Sequence, residues 1–308
     1  MASWLDASSF TFESDPEQLS LPGTLDCGQA FRWRLVPNGW WTGVVRGRAL
    51  RLRREGGSVE GQLFPPADDA QQFAASYLRL DVDLGSLRSS FAEADSWMAE
   101  AVATFPGVRV LSQEPAETLL SYICSTANSV PRISCAVEAM SRRYGSLIGT
   151  LDGTEHFAFP TVEALAEASP EELWSVCRLG WRGNNLIRVA GTLLAKPPEW
   201  PEQLRALPYR EAKAALMEVY GIGAKIADCI CLFALEKDEA VPVDTHIWAL
   251  AREIFDAQVP TKTLTPATYD AIAELFVGRY GVYAGWAQEY LYLWRRAKQG
   301  RVPSARRG

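Results

Sequence analysis

The N-terminal part of the chain alternates between apolar and polar residues. Runs with this alternation cover residues 31–35, 40–45, 49–53 and 59–64. Turn-forming residues separate the runs, such as Pro37-Asn38-Gly39 and Glu55-Gly56-Gly57. Because successive side chains of a strand point to opposite faces of a sheet, a period of two predicts strands with one buried face. This part of the chain is therefore predicted to form a small antiparallel meander.

From about Asp68 onward the apolar residues recur at helical spacing. The segments with this spacing are 69–79, 93–104, 115–126, 131–143, 162–168, 170–178, 183–195, 209–219, 224–235, 245–255, 266–279 and 283–298. The sequence from Ser169 to Glu172 is typical of a helix start, with a capping serine and acids in the first turn. The pattern predicts an α+β chain, in which a small antiparallel β-rich N-terminal domain with short helices (1–105) precedes a large all-helical body (106–308).

The composition is typical of a soluble globular protein, since 48% of the 308 residues are hydrophobic and 22% are charged. The chain contains no run of about 18 apolar residues, so neither a membrane span nor a membrane partner is expected. Its N-terminus lacks a basic segment followed by an apolar run, which is the pattern of a secretory signal. These observations favour an intracellular protein.

The net charge of −6 at first argues against a nucleic-acid partner, because phosphates attract basic surfaces. The distribution of the charge weakens that objection. Residues 1–100 carry 14 acidic and 9 basic side chains, whereas residues 101–308 carry 23 acidic and 22 basic ones. Most of the negative charge therefore lies in the first hundred residues, and the remainder can hold a local basic face.

Six cysteines occur at positions 27, 124, 135, 177, 229 and 231, together with two histidines, His156 and His246. Their spacing fits neither a zinc ribbon nor the ligand run of an iron–sulfur cluster. Reduced and mostly buried thiols are the simplest interpretation. No metal site is therefore predicted from these residues.

Two predicted helices meet at Gly221-Ile222-Gly223. The glycines allow a tight hairpin, and Ile222 is expected to fill the core between the helices. They also leave backbone N–H groups uncovered at the start of the second helix, where hydrogen bonds and the helix dipole favour a phosphate. A helix–hairpin–helix at 209–235 that binds the DNA backbone is one interpretation, and a purely structural turn is the other.

Lys225 lies in the first turn of the second helix, where the helix dipole disfavours a cation. The segment after it, Ile226 to Leu235, is almost wholly apolar, so a buried helix would partly desolvate the amine. Both effects favour the neutral amine and are expected to lower the pKa of Lys225. A neutral amine is the form that covalent catalysis by lysine requires. The alternative is a lysine whose amine simply extends to solvent.

Asp244 follows Val241-Pro242-Val243 and precedes a predicted helix at 245–255. Its position is that of an N-cap residue, whose carboxylate accepts hydrogen bonds from the first backbone N–H groups of the helix. A capping carboxylate can also face a cleft and act on a substrate. The two roles are compatible, and the sequence leaves both open.

These two residues lie in segments that resemble the helix–hairpin–helix DNA glycosylase superfamily. Residues 221–232 together with 241–246 are similar specifically to the 8-oxoguanine DNA glycosylases. Further matches follow in the same order as in that family, at residues 27–33, 121–125, 179–182 and 283–288. The matches are spread along most of the chain, which makes the resemblance highly specific. The cysteine spacing disfavours the branch of the superfamily that carries an iron–sulfur cluster.

The resemblance implies an enzyme that flips an oxidised guanine out of duplex DNA and excises it. Lys225 would attack the anomeric carbon, expel the base and leave a Schiff base, from which β-elimination can nick the strand. Asp244 would stabilise the positive charge that develops on the sugar and orient the nucleophile. No soluble cofactor is required. Main-chain carbonyls of the hairpin are candidate ligands for a structural cation.

The resemblance also implies a pocket for the lesion base. Gly28 would offer its carbonyl oxygen to the hydrogen on N7, which undamaged guanine lacks, so guanine would leave this acceptor unpaired. Cys229 and Tyr292 would cover the two faces of the base, and Gln288 would hydrogen-bond its Watson–Crick edge. The family commonly has Phe where this chain has Tyr292, so its hydroxyl needs a partner.

The remaining matches concern the DNA around the lesion. Gly221, Gly223 and His246 would contact the phosphate backbone, Trp181 and Arg182 would fill the gap left by the flipped base, and Asn128 and Arg132 would read the opposite base. The family's run of three asparagines is Ala127-Asn128-Ser129 here. Alanine can neither fill the gap nor hydrogen-bond the orphaned cytosine. A weaker preference for cytosine opposite the lesion is therefore expected.

The sequence thus predicts a DNA glycosylase with apurinic-site lyase activity in base excision repair, a monomer whose partner is double-stranded DNA with oxidised guanine. Two alternatives stay open. One is a monofunctional alkylpurine glycosylase on the same scaffold, which Lys225 disfavours because that branch usually lacks the lysine. The other is a non-catalytic helix–hairpin–helix DNA-binding module. No basic import run is evident, so the bacterial cytoplasm, in its nucleoid, is favoured over a nucleus.

Overall fold

A computed structural model describes residues 3–259 and 263–300. Its N-terminal part is built on an antiparallel sheet with the strand order β1-β5-β4-β3-β2. The strands are β1 Ser8–Glu13, β2 Arg34–Leu35, β3 Trp41–Val45, β4 Arg48–Glu55 and β5 Ser58–Phe64. Leu50 of β4 lies opposite Leu63 of β5, and both are fully buried. The alternation in the sequence therefore reports one face of this sheet, as predicted.

Short helices accompany the sheet: α1 Leu21–Leu25, α2 Ala70–Tyr77, α3 Leu84–Ala94 and α4 Ser96–Thr104. Tyr77 of α2 packs on the buried face of the sheet, and Ser20 caps α1 by accepting a hydrogen bond from the backbone of Gly23 at 3.2 Å. The sequence pattern missed β1, α1 and α3. It predicted a strand over 31–35, of which only the last two residues pair, because Phe31 turns away into the helical core.

The body of the molecule is mostly helical. Its helices are α5 Pro115–Ile123, α6 Val130–Tyr144, α7 Val162–Ala166, α8 Pro170–Ser175, α9 Arg182–Leu194, α10 Trp200–Ala206, α11 Tyr209–Met217, α12 Ala224–Ala234, α13 Thr245–Ile254, α14 Pro266–Tyr280 and α15 Ala284–Lys298. A hairpin of two strands, β6 Leu147–Leu151 and β7 Thr154–Phe157, interrupts it. The predicted α+β class is confirmed, but the expectation of an all-helical body missed this hairpin and α10.

One large hydrophobic core joins the first and last parts of the chain. Cys27 and Phe31 from the N-terminal part belong to it, as do Tyr122 from α5, Cys229 from α12 and Tyr290 from α15. This core brings the loop that follows α1 against the end of the helical body. The division into two domains at residue 105 stays a prediction. Among the described residues, the helices are too short or too polar to cross a membrane.

Candidate active site and DNA-contacting surface

The hairpin between α11 and α12 has the form that the two glycines predict. Gly221 has a φ of +80°, a left-handed conformation that glycine adopts without strain. Ile222 is 5% exposed and packs in the core, and its backbone N–H donates to the carbonyl of Val219 at 3.1 Å. Gly223 is exposed at the N-cap of α12. The hairpin therefore presents its backbone to solvent at a helix N-terminus, where a phosphate can bind.

Lys225 is the second residue of α12, and its side chain turns inward. The Nζ atom lies 5.3 Å from the centre of the Tyr122 ring, and the residue is only partly exposed. One turn further on lies Cys229, whose thiol is close enough to Lys225 to be influenced by its positive charge. Burial raises the pKa of the Cys229 thiol to about 11, although the ammonium of Lys225 lowers it. The amine thus lies over an aromatic ring beside a neutral thiol.

Asp244 has the capping role that its position predicts. Its Oδ1 accepts hydrogen bonds from the backbone N–H groups of His246 and Ile247, each at 2.8 Å. The same carboxylate acts on Cys229 and Tyr292, because its negative charge contributes to the raised pKa of both groups. The charges of Lys225 and Asp244 shift the pKa of the Cys229 thiol in opposite senses: Lys225 lowers it and Asp244 raises it. The amine of Lys225 and the carboxylate of Asp244 therefore both lie near the Cys229 thiol.

The loop that carries Asp244 is tied to α12 by a buried network centred on Asp228. This carboxylate is fully buried and accepts hydrogen bonds from Tyr209 (2.6 Å), Tyr269 (2.6 Å) and Lys213 (2.9 Å). The Tyr269 hydroxyl in turn accepts a hydrogen bond from the backbone N–H of Val243 at 3.2 Å. The sequence analysis did not single out Asp228, although a lone acid in the apolar run 226–235 is a detectable signal.

Two of the residues predicted for the base pocket, Cys229 and Tyr292, lie near Tyr122. Burial raises the pKa of the Tyr122 hydroxyl, and the groups of Cys229 and Tyr292 add to that effect. Tyr292 is partly buried, and its ring meets that of His246 edge-on at 6.0 Å. Gln288 is 4% exposed, and within the described residues its Oε1 has no hydrogen-bond partner. A buried acceptor without a donor is available to a polar ligand.

Gly28 lies at a position that only glycine fits. Its φ is +104°, and an added Cβ would lie 3.1 Å from Cγ2 of Val130. The residue before it, Cys27, is held through its carbonyl oxygen, to which Arg296 Nη1 donates at 3.2 Å. The Arg296 guanidinium also lies 5.4 Å from the centre of the Tyr292 ring. The predicted base-contacting glycine is therefore next to the predicted aromatic wall.

Sequence reasoning missed two residues of this cluster, Tyr122 and Glu289. The Tyr122 ring stacks on Phe233 at 6.0 Å, and its hydroxyl donates to the carbonyl of Gln29 at 3.2 Å. Glu289 is 4% exposed. The hydrophobic pattern does not reveal either residue. A tyrosine at an apolar position of a helix looks like an ordinary core residue, and a single acid on a helix looks like a solvent-exposed one.

The residues predicted to lie around the opposite base form a separate surface. Trp181 is 49% exposed, and the Arg182 guanidinium lies 4.7 Å from the centre of its ring. Asn128 makes local hydrogen bonds, since its Nδ2 donates to the carbonyl of Cys124 at 3.1 Å and its Oδ1 accepts from the backbone of Ser129 at 3.0 Å. Arg132 is exposed on α6. Exposed aromatic and cationic groups are suited to stacked bases and phosphates.

No group of three or more His, Cys, Asp and Glu side chains among the described residues has the arrangement of a metal site. The candidate cation site of the hairpin would use main-chain carbonyls instead of these side chains. It stays a prediction.

Comparisons with known proteins identify the family. Residues 11–119 match the model of the 8-oxoguanine DNA glycosylase N-terminal domain. The chain is 34% identical to the N-glycosylase/DNA lyase OGG1 of Arabidopsis thaliana, over 90% of this chain and 77% of that protein. It is 29% identical to the N-glycosylase/DNA lyase of Saccharomyces cerevisiae, over 89% of this chain and 83% of that protein.

A solved structure has the same fold as this protein over nearly the whole chain. The 8-oxoguanine glycosylase/lyase of Clostridium acetobutylicum, in complex with double-stranded DNA containing cytosine opposite 8-oxoguanine, superposes with a TM-score of 0.82. The two chains are 26% identical, and the match covers 96% of this chain and 100% of that one. The sequence matches and the shared fold agree, and the chain therefore belongs to the 8-oxoguanine DNA glycosylase family.

Proposed function

We propose that this protein is a bifunctional DNA glycosylase and lyase, which excises 8-oxoguanine from duplex DNA in base excision repair. Its relatives in A. thaliana and S. cerevisiae are named N-glycosylase/DNA lyase, and the solved C. acetobutylicum enzyme holds DNA with an 8-oxoguanine. The observation that carries the proposal is the position of Lys225. Its amine lies over Tyr122, against the same buried thiol on which Asp244 acts.

In the first step the Lys225 amine attacks C1′ of the extruded nucleotide. A bond forms between Nζ and C1′, and the N-glycosidic bond breaks, so its electron pair leaves with the base, which takes up a proton. The Asp244 carboxylate stabilises the positive charge that develops on the sugar in the transition state. Because its Oδ1 is fixed by two backbone N–H groups, the carboxylate needs little reorganisation.

In the second step the sugar ring opens and the amine becomes a Schiff base. Loss of the C2′ proton to a base then expels the 3′ phosphate by β-elimination, which nicks the strand. Hydrolysis of the imine returns the amine of Lys225. An imine conjugated to the sugar acts as the electron sink for this elimination, so the lyase step needs the same lysine as the excision step.

Recognition of the DNA is assigned to three surfaces. The Gly221–Gly223 hairpin and His246 contact the phosphate backbone, and Trp181 with Arg182 fills the gap left by the base. Asn128 and Arg132 face the opposite base. The pocket of Gly28, Cys229, Gln288 and Tyr292 holds the extruded lesion, with the acceptor at Gly28 selecting the hydrogen on N7. The protein acts as a monomer inside the cell, without a membrane partner, and is favoured to lie in a bacterial nucleoid.

Borohydride reduction tests this function against its alternatives. The intact chain is mixed with duplex DNA containing 8-oxoguanine, and a covalent adduct is expected. The Lys225→Gln variant should give none, whereas Lys196→Gln, which removes an amine that stacks on Trp200, should react like the parent. A monofunctional alkylpurine enzyme would release base without forming an adduct, and a binding module would do neither. Either result would refute the proposal.

A further inference from the structure

Glu289 is a buried acid that the proposed mechanism does not use. It lies on α15 three residues before Tyr292 and seven before Arg296, so the three side chains share one face of the helix. Glu289 is 4% exposed, and in the described part of the chain its Oε1 has no hydrogen-bond partner. Because an unpaired buried oxygen is destabilising, stability gives no reason for a carboxyl group at this position.

Glu289 and Arg296 reach the same short segment, Cys27-Gly28. The buried Glu289 carboxyl lies near the Cys27 side chain, since the two groups act on each other electrostatically. From the next turns of the helix, Arg296 Nη1 donates to the Cys27 carbonyl oxygen at 3.2 Å. The Cys27 thiol in turn donates to the carbonyl of Thr24 at 3.3 Å. Cys27 is therefore bonded to α15 through its main chain, and its side chain lies near Glu289 of the same helix.

Gly28 has no side chain by which it could be held itself. Because glycine lacks a Cβ, its backbone can adopt many conformations at little cost in energy. In this structure its φ is +104°. An added Cβ would lie 4.0 Å from Arg296 Nη1, so the glycine is adjacent to the same guanidinium. The direction of the Gly28 carbonyl therefore depends on how firmly the preceding residue is fixed.

Burial raises the pKa of the Glu289 carboxyl to about 7, and the negative charge of Asp244 raises it further, whereas Cys27 and Arg296 lower it. Below that pH the carboxyl is mostly neutral. It can thus lie near Asp244 without adding a second full negative charge to the cleft, and it can donate a hydrogen bond as well as accept one.

We propose that Glu289, together with Arg296, is a positioning residue for lesion recognition: the pair fixes Cys27 and thereby aims the Gly28 carbonyl at the N7 hydrogen of the oxidised base. The proposal rests on the proposed function, since it needs that base in the pocket. It implies a separation of the two activities. Excision depends on the aim of the carbonyl, whereas cleavage at a preformed abasic site offers no base to recognise.

The Glu289→Leu variant tests this separation, with Glu289→Gln as the conservative substitution. Single-turnover rates are measured on duplex DNA with 8-oxoguanine and on the same duplex with an abasic site. We expect E289L to slow excision about tenfold, the order of one lost polar interaction, and to leave abasic-site cleavage within about twofold. E289Q, which keeps a polar side chain near Cys27, should recover most of the excision rate.

Two further measurements separate positioning from a structural role. The thermal midpoint of E289L should equal or exceed that of the parent, because the unpaired oxygen is removed. Glu253→Gln is the matched control, since Glu253 is an exposed acid that pairs with the neighbouring Arg295 at 2.8 Å. It should change neither rate. If E289L does not fold, Arg296→Met carries the same test and should also slow excision more than abasic-site cleavage.

Equal losses in the two reactions, or no loss in either, would overturn the inference. Failure of this inference can be distinguished from failure of the proposed function. A parent protein that gives no borohydride adduct with either duplex refutes the proposed function itself. A parent that reacts, with an E289L variant that keeps its full excision rate, refutes only the role of Glu289.

Discussion

Arg182 donates two hydrogen bonds of 2.7 Å to consecutive backbone carbonyls, from Nε to Thr126 and from Nη2 to Ala127. The residue that it holds, Ala127, has a φ of +48°, in the left-handed region. The loop before α6 is thus fixed to the start of α9 by one guanidinium. This contact places Ala127 beside the exposed Trp181, on the surface assigned to the gap left by the flipped base.

The side chain of Ala127 is too small to fill that gap. We therefore expect the excision rate of 8-oxoguanine to vary little with the opposite base, within about tenfold, which is the order of one hydrogen bond to an orphaned base. Ala127→Asn should raise the preference for cytosine, since an amide can both donate and accept. Single-turnover rates with the four opposite bases measure this. A strong cytosine preference in the parent would contradict the prediction.

The backbone at Ala127 also makes a prediction about stability. A left-handed conformation costs a residue with a Cβ about 1–2 kcal/mol. Ala127→Gly should remove most of that strain, although the added entropy of the unfolded glycine offsets part of it. We expect a net gain of up to about 1 kcal/mol in the free energy of unfolding, measured in urea. Ala136→Gly, in the middle of α6, is the control and should be destabilising. A loss in both variants would show that the loop is unstrained.

Tyr269 links the Asp228 network to the segment before Asp244. Tyr269→Phe leaves the Val243 N–H without its acceptor, which costs about 1–3 kcal/mol for a buried group. Because Asp244 is the next residue, we expect excision and abasic-site cleavage to slow together, about tenfold. Tyr280→Phe removes a comparable hydroxyl, bonded to Asp95 at 2.8 Å outside the cleft. It should lower stability without slowing either reaction. Slowed reactions in Y280F as well would trace the effect to stability alone.

Glu117 predicts a pH dependence of stability. Burial raises its pKa from 4.5 to about 7, although Arg32 opposes this. Between those values the folded state keeps a proton that the unfolded state loses, so the free energy of unfolding falls as the pH rises from about 4.5 to 7. Glu117→Gln should remove this decline and be relatively more stable at pH 8 than at pH 5, by about 1–3 kcal/mol. The comparison uses urea unfolding.

The exposed Glu93 of α3 provides the control for that experiment. Glu93→Gln should follow the parent at both pH values, because an exposed carboxyl has nearly the same surroundings before and after unfolding. A Glu117→Gln profile parallel to that of the parent would mean that the carboxyl is ionised in the folded protein.

Short-range features of the sequence predicted much of the site. The hairpin at Gly221–Gly223 and the cap at Asp244 follow from neighbouring residues, so the local sequence is enough to place them. The first three residues of the strand predicted at 31–35 failed to pair for the opposite reason. Phe31 alternates correctly for a sheet, but its ring packs against that of Tyr122 at 5.2 Å, a residue 91 positions away.

The sequence by itself determined most of the helices, most strands of the antiparallel sheet and the capping role of Asp244, because periodicity and spacing report which residues are buried and how the backbone turns. The tertiary structure alone decided that Asp228 ties the loop of Asp244 to α12 and that Glu289 reaches Cys27. The physical reason is that the partners of a buried polar group are chosen by packing between distant segments, which no local pattern encodes.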